Sequence, residues 1–492
     1  MTDQSAIDAL RAQPIPAQGQ WIDGKQVIGE AAMPVISPID GQQITTISDG
    51  TAADVDAAVA SAKAAFEDRR WAGMPPAARK AIMHRWADLI AANALELAVL
   101  GIRDNGTEFG MAIKAEPGSA AGTIRYYAEA IDKIYGEIAP TAESHLGLIH
   151  REPVGVVGAI VPWNFPLMIG AWKLGPALAA GNSVVLKPGE TASLSLLRLA
   201  ELASEAGVPD GVLNVVTGQG AVVGEALALH RDVSVLTFTG SGATGRRLLE
   251  YSARSNLKRC FLELGGKSAN VVFADCDIDK AAKTVAGGIF RNSGQVCVAG
   301  SRLLVEASIA DDFTAAVAAH AEAFRVGDPL DLSTHIGAVH SERELEKNLG
   351  FVASAAEEGA TLVTGGERIL KNSGGTYMQP TVFKGVAPNH RLFREEAFGP
   401  ILAVTTFETE AEAMILANAT DYGLAGAVWT RDLSRAHRCI RAMRTGVVHV
   451  NCYGGPDVTV PLAGVGQSGN GADKSLHAID KYTDLKTAWI EL

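Results

Sequence analysis

The sequence predicts an α/β protein with two doubly wound parallel-sheet units, one Rossmann-like, and an added β-ribbon. Two observations predict the sheets. From Val154 onward short apolar runs alternate with helical stretches, the pattern of strands joined by crossover helices. The alternation comes as two successive series, and a chain of 492 residues exceeds the length at which a single core usually keeps growing. A third observation predicts the ribbon. Residues 135–151 and 480–492 read as extended, and the tail alternates through Leu485, Thr487, Trp489 and Glu491 with an apolar face that neither series covers.

In chain order, helices are expected over 53–66 and 77–100, the second introduced by Pro75-Pro76, where the fixed φ of proline suits a first turn. Both should pack on the first unit. Strands follow at 156–161, 183–186, 213–216, 235–239 and 259–264, with helices at 193–206 and 222–229. The second series gives strands at 269–273, 302–305, 362–364, 401–407, 425–429 and 447–451, with helices at 309–324 and 434–443. No repeat of fixed period interrupts them.

Composition excludes several classes of function. A net charge of −12 is spread along the chain without basic patches, so nucleic acid is not an expected partner. The start, Met1-Thr2-Asp3-Gln4, is acidic where an export signal needs a basic flank, and the most apolar run stops at Pro162, short of a membrane span. Five cysteines without a Cys-x-x-Cys pair suggest neither a disulfide framework nor a metal site, and fit a reducing cytoplasm.

Chemistry is suggested by Phe261-Leu262-Glu263-Leu264-Gly265-Gly266-Lys267 and Gly294-Gln295-Val296-Cys297, whose carboxylate and thiol lie 34 positions apart. A thiol is a strong nucleophile, and a carboxylate can activate the water that resolves its acylated form. Alone, a Cys between two valines is ordinarily a small buried hydrophobe, and a Glu at a strand end a solvated charge. With Val161-Pro162-Trp163-Asn164-Phe165-Pro166 added, the three motifs together resemble the aldehyde dehydrogenase superfamily over nearly the whole chain.

That resemblance implies a mechanism and a set of roles. Cys297 would attack the aldehyde, Asn164 and the Cys297 N–H would hold the oxyanion, and Glu263 would deprotonate the hydrolytic water. It implies residues 1–133 and 152–264 as an NAD-binding domain, 265–472 as a catalytic domain, and 134–151 with 473–492 as an oligomerisation ribbon of a dimer or tetramer.

Two readings compete for the cofactor. Gly240-Ser241-Gly242-Ala243-Thr244-Gly245 satisfies Gly-x-Gly-x-x-Gly, and taken strictly it would assign the ribose to Glu263, 23 residues on. The resemblance instead sets Gly240 and Ser241 against phosphate and gives the adenosine ribose to Lys187 and Glu190. Glu396 and Phe398 then serve the nicotinamide end, beside Trp163 and Leu264. The second reading is preferred because it accounts for more residues, and Glu190 favours NAD by repelling a 2′-phosphate.

The stretches Tyr127–Lys133, Val428–Arg438 and Gln467–Gly471 are similar to bacterial aminoaldehyde and γ-glutamyl-γ-aminobutyraldehyde dehydrogenases of polyamine breakdown. They support kinship with that subfamily and do not themselves fix a substrate; the resemblance implies an aminoaldehyde or γ-glutamylaminoaldehyde, with Phe165, Trp172, Val296, Val298, Tyr453 and Leu462 as pocket residues by position in the family. Asp457, in Gly455-Pro456-Asp457, would pair with a cationic tail, although an Asp after Pro is ordinarily a turn residue. Pro461-Leu462-Ala463-Gly464-Val465-Gly466 departs from the family's aromatic-bearing loop, and Ala472 replaces a customary Arg. Those departures keep an aromatic or other bulky aldehyde open as an alternative. A coenzyme-A-acylating relative would lack the base that Glu263 provides, and a non-catalytic scaffold would be free to lose Cys297, Asn164 or Glu396.

Overall fold

The computed structural model describes residues 3–455 and 457–492. Met1 and Thr2 of the acidic start, and Pro456 before Asp457, lie outside the described residues.

The first sheet runs Arg259–Glu263, Val235–Thr239, Val156–Ile160, Ser183–Lys187 and Leu213–Val215, all parallel, and ends in the antiparallel pair Gln20–Ile22 and Lys25–Val27. The four longer parallel strands are near-continuous apolar runs, as strands covered on both faces must be. The second sheet runs Thr361–Thr364, Thr381–Lys384, Ile401–Phe407, Arg302–Glu306, Ala269–Val272, Ala425–Trp429 and Val447–Val450, parallel except for its first strand. Each sheet is therefore mixed at one edge, where the sequence predicts only parallel strands. The strand Thr381–Lys384 and the helices Ile278–Phe290 and Glu342–Glu357 were not foreseen.

The helix expected over 77–100 is two helices, Pro76–Ala92 and Ala94–Asn105, broken at Asn93 (φ −101°, ψ 20°). The Asn93 amide donates back to the Leu89 carbonyl at 2.8 Å, a local bond that competes with helix continuation. The first helix packs on Ser119–Ala130 and Leu194–Ala206, against the first sheet's core.

The ribbon is a three-stranded antiparallel sheet with His145–Pro153 between Glu137–Ala139 and Thr483–Glu491. Asp480, expected in the tail strand, sits in the turn Leu476–Tyr482 that precedes it. Leu485 and Trp489 are each 63% exposed, and Leu492 is 75% exposed. Among the described residues no helix is long and apolar enough to cross a membrane.

Two connections set up the site. The chain passes from the first sheet to the second through Leu264-Gly265-Gly266-Lys267. The C-terminal segment returns to the first sheet, held by a buried ion triad. Asp473 takes Lys173 at 2.5 Å on one carboxylate oxygen and Lys481 at 2.6 Å on the other. Burial opposes the Asp473 charge, but the two ammonium groups outweigh it and keep its carboxyl below the usual range. Removing one member of such a group leaves buried charge uncompensated. Asp473→Ala should therefore lower stability by roughly 3–5 kcal/mol in urea unfolding. Asp311→Ala, which breaks a 3.1 Å pair with Lys384 that is 91% exposed on the Asp311 side, should cost less than about 1 kcal/mol.

Candidate active site

Strand order in the first sheet reverses between Val156–Ile160 and Val235–Thr239, and ligands of open α/β sheets bind beyond the strand ends at such a point. A cavity of about 600 Å³ lies there. Its wall contains Lys187, Glu190, Gly240, Ser241, Trp163, Leu264, Glu396 and Phe398, together with Asn164 and Cys297. Glu263 is not among the wall residues.

The wall suits a dinucleotide. Ser241 caps the helix Gly242–Arg254, its Oγ accepting the Thr244 N–H, so the positive end of that helix opens on the cavity. Glu190 accepts the Gly220 N–H at 2.6 Å and lies 3.7 Å from the Lys187 ammonium. Burial raises the Glu190 carboxyl, but Lys187 and Gly220 more than offset it, so it is held ionised below its ordinary range. Glu396 accepts the Gly266 N–H at 2.9 Å, and burial pushes its carboxyl up to about 6. A Cβ on Gly265 would come within 2.1 Å of a Glu396 oxygen, so a side chain there would displace that carboxylate.

Cys297 is delivered by a strained loop. Asn292 (φ 52°), Ser293 (φ 51°) and Gly294 (φ 70°) are successive left-handed residues, a conformation that persists only when its surroundings impose it. Here they do. The Asn292 N–H donates to Glu108, Thr107 Oγ1 donates to the Asn292 side chain at 2.8 Å, and Ser293 Oγ donates to the Gly337 carbonyl at 3.0 Å. Asn164 meets this loop, its Nδ2 donating to the Gln295 carbonyl at 2.9 Å. Asn164 and Cys297 thus come from loops of different sheets, joined by this bond and by Asn292 Nδ2 donating to the Asn164 carbonyl at 3.5 Å.

Burial dominates the electrostatics. It raises the Cys297 thiol to about 12, helped by the Glu396 and Glu263 carboxyls, so the resting thiol is neutral. Glu263 is buried behind the wall, and its Oε1 has no partner. Burial and then Asp473 push it up to about 8, against the pull of Lys173 and Lys481. The other cysteines differ in setting: Cys260, Cys276 and Cys439 are buried and Cys452 is exposed.

Of the expected substrate residues, Phe165, Trp172 and Leu462 belong to one buried cluster against which Val296, Cys297 and Val298 pack. Tyr453 braces the nucleophile loop, its hydroxyl donating to the Val298 carbonyl at 2.6 Å. Asp457 is exposed and accepts the Thr459 N–H at 2.9 Å, the local bond of a turn residue. A residue that was not singled out, Lys474, places its ammonium 5.4 Å from the centre of the Trp172 ring and helps hold the Asp457 carboxyl down, while burial lowers its own ammonium against the pull of Asp457, Asp473 and Cys297. Glu108 and Asn292 were also missed. Each carries its role through a tertiary contact that has no local signature.

Comparison with known proteins places these motifs in a lineage. The model of the aldehyde dehydrogenase family matches residues 21–488. The NADP/NAD-dependent aldehyde dehydrogenase PuuC of Escherichia coli is 50% identical over 459 residues, 93% of this chain and 92% of that protein. Aminoacetaldehyde dehydrogenase of Pseudomonas aeruginosa is 45% identical over 478 residues, 96% of each. Among solved structures, γ-glutamyl-γ-aminobutyraldehyde dehydrogenase from Burkholderia cenocepacia superposes with a TM-score of 0.98 at 48% identity over 100% of both chains. An indole-3-acetaldehyde dehydrogenase holding NAD+ gives the same values.

Proposed function

The chain belongs to the aldehyde dehydrogenase family and oxidises aldehydes with NAD, and from that premise we propose that Cys297 is its nucleophile, Asn164 its oxyanion donor and Glu263 its hydrolytic base. One observation carries the assignment. Cys297 is the one thiol in the cavity wall among the described residues, and its loop is hydrogen-bonded to Asn164. Glu190 and Lys187 would hold the adenosine ribose, the helix start at Gly240 and Ser241 the pyrophosphate, and Glu396 with Phe398, Trp163 and Leu264 the nicotinamide end. Bound NAD supplies the hydride acceptor. Glu190, held ionised, disfavours a 2′-phosphate at that position.

The steps follow from the chain's own groups. Cys297 gives its proton to solvent water as sulfur bonds to the aldehyde carbon, and the oxygen, now anionic, is held by the Asn164 amide and the Cys297 N–H. The carbonyl re-forms as hydride departs, leaving a thioester on Sγ. Glu263, ionised, takes a proton from water, whose oxygen adds to the thioester carbon. The S–C bond breaks, and the acid is released.

For the substrate, the relatives support an aminoaldehyde or γ-glutamylaminoaldehyde of polyamine catabolism. Lys474 and Asp457 set one cation and one anion near each other beyond Trp172, charges that suit a zwitterionic γ-glutamyl tail better than a bare ammonium. The second reading is an aromatic aldehyde, favoured by the flat surfaces of Phe165 and Trp172 beside Cys297 and by the indole-3-acetaldehyde relatives.

The exposed apolar residues of the ribbon, on a sheet whose strand Thr483–Glu491 has no neighbouring strand on its outer edge among the described residues, support self-association into a dimer or tetramer. The five unpaired cysteines support a reducing cytoplasm.

NADH formation across γ-glutamylated, amino, indolic and short aliphatic aldehydes should favour the γ-glutamylated member, and Cys297→Ala should form none. A preference for indolic aldehydes would replace the substrate reading, and activity in Cys297→Ala would overturn the nucleophile. Glu263 is increasingly protonated as pH falls below about 8, so steady-state turnover should rise with pH through that value. Glu263→Gln should keep NAD affinity and lose the rise. Light scattering should show Trp489→Lys with Leu485→Lys as a smaller assembly than the parent; an unchanged mass would exclude the ribbon as the interface.

A further inference from the structure

We infer that His340 is a positioning residue that locks the nucleophile loop, the Asn164 loop and the adenosine-ribose loop into one register. The inference rests on the assignments above and adds to them a residue that touches neither substrate nor cofactor. His340 lies in the short link before the helix Glu342–Glu357 and is not in the cavity wall. Three contacts define it. Its ring stacks face to face on Trp163, centroids 4.1 Å apart and planes 7° from parallel, and Trp163 immediately precedes Asn164. Its backbone N–H donates to Gln295 Oε1 at 2.7 Å, two residues before Cys297. Its Nε2 hydrogen-bonds Thr191 Oγ1, next to Glu190. No other contact described above joins all three loops.

The surroundings make these contacts rigid. The link is itself pinned, Val339 N–H donating to the Thr376 carbonyl at 2.7 Å and Ala338 N–H to the Gly106 carbonyl at 3.0 Å. Trp163 is held on a second side by Phe398, edge-on at 5.5 Å and 88°. Gln295 uses its other end to donate to the Asn292 carbonyl at 3.1 Å, tying the His340 contact to the strained turn. Burial holds the imidazole neutral by pushing it down to about 3, so it stacks as an uncharged ring across the working pH range. A ring of this shape sets the height of Trp163, and through it the direction of the Asn164 amide. A displacement of about 1 Å at such a position costs on the order of a hundredfold in rate.

The test separates the ring stack on Trp163 from the Thr191 bond. His340→Leu removes the flat ring and the Thr191 bond. His340→Phe keeps a flat ring and loses only the bond. Thr191→Val loses the bond alone. At saturating NAD and aldehyde, His340→Leu should slow the pre-steady-state burst of NADH on the order of tenfold. It should also weaken NAD binding about fivefold, the worth of one hydrogen bond. His340→Phe should keep most of the burst while weakening NAD binding equally, and Thr191→Val should weaken NAD binding alone. Burst and affinity at wild-type values in a folded His340→Leu would overturn the inference. If that variant does not fold, wild-type NAD affinity in His340→Phe and Thr191→Val does the same. A burst surviving in Cys297→Ala would instead indict the nucleophile assignment, and the NAD-affinity shifts, which need no chemistry, would still decide the role of His340.

Discussion

The arrangement depends on one steric constraint, the absence of side chains at Gly265 and Gly266. There the chain leaves the first sheet and enters the second, passing between the acid that serves one end of the cavity and the loop that carries the thiol. A Cβ at Gly265 would overlap Glu396, and one at Gly266 would stand 2.5 Å from the Cys297 carbonyl oxygen. A side chain at Gly265 would displace the Glu396 carboxylate, and one at Gly266 would press on the backbone of the Cys297 loop. Because the crossing is tight, the Gly266 N–H can hold Glu396, and Glu263, three residues earlier, stays buried between the sheet and the returning C-terminal segment. The same few residues therefore bring together cofactor wall, nucleophile loop and base.

Closeness of this kind expels water, and the charges respond. Cys297, Glu263 and Glu396 all favour their neutral forms, mainly through burial, and each carboxylate makes it harder for the thiol to ionise. The Lys173–Asp473–Lys481 triad supplies the counterweight. Its two cations exceed its one anion, and both pull Glu263 toward ionisation. The ion group that anchors the C-terminal segment thus also bears on Glu263, its lysines favouring ionisation and Asp473 opposing it, beneath the larger effect of burial.

Much of this was legible in the sequence because it rests on short, local patterns. The apolar runs that became the first sheet's parallel core match the observed strands to within one or two residues, since strands buried on both faces admit little else. The motifs around Asn164, Glu263 and Cys297 pointed to the candidate chemistry through their joint resemblance to a family, since each alone is ordinary. Edge strands such as Lys25–Val27 escaped because exposure erases their pattern, and the break at Asn93 escaped because its cause is a single side-chain bond. Gln295 stood inside a quoted motif, yet its side-chain amide reaches two different loops, which spacing cannot show. The role of Asp473 has no local signature, because its partners lie 300 and 8 positions away.

The departure at Pro461–Gly466 bears on substrate choice in a way that residue type alone does not convey. Leu462 is only 5% exposed and pairs by backbone with Asp473, so it is fixed to the ion triad on one side and to Phe165 and Trp172 on the other. A shorter apolar side chain there leaves the anchoring intact and changes the surface beside Trp172, the ring over which Lys474 lies. The groups assigned to the chemistry stand on loops that the Gly265–Gly266 crossing and the left-handed turn hold rigid. The groups that would read the aldehyde's tail stand on the C-terminal segment. Substitutions on that segment can alter which aldehyde is accepted without moving Cys297, Asn164 or Glu263, provided Asp473 keeps both lysines.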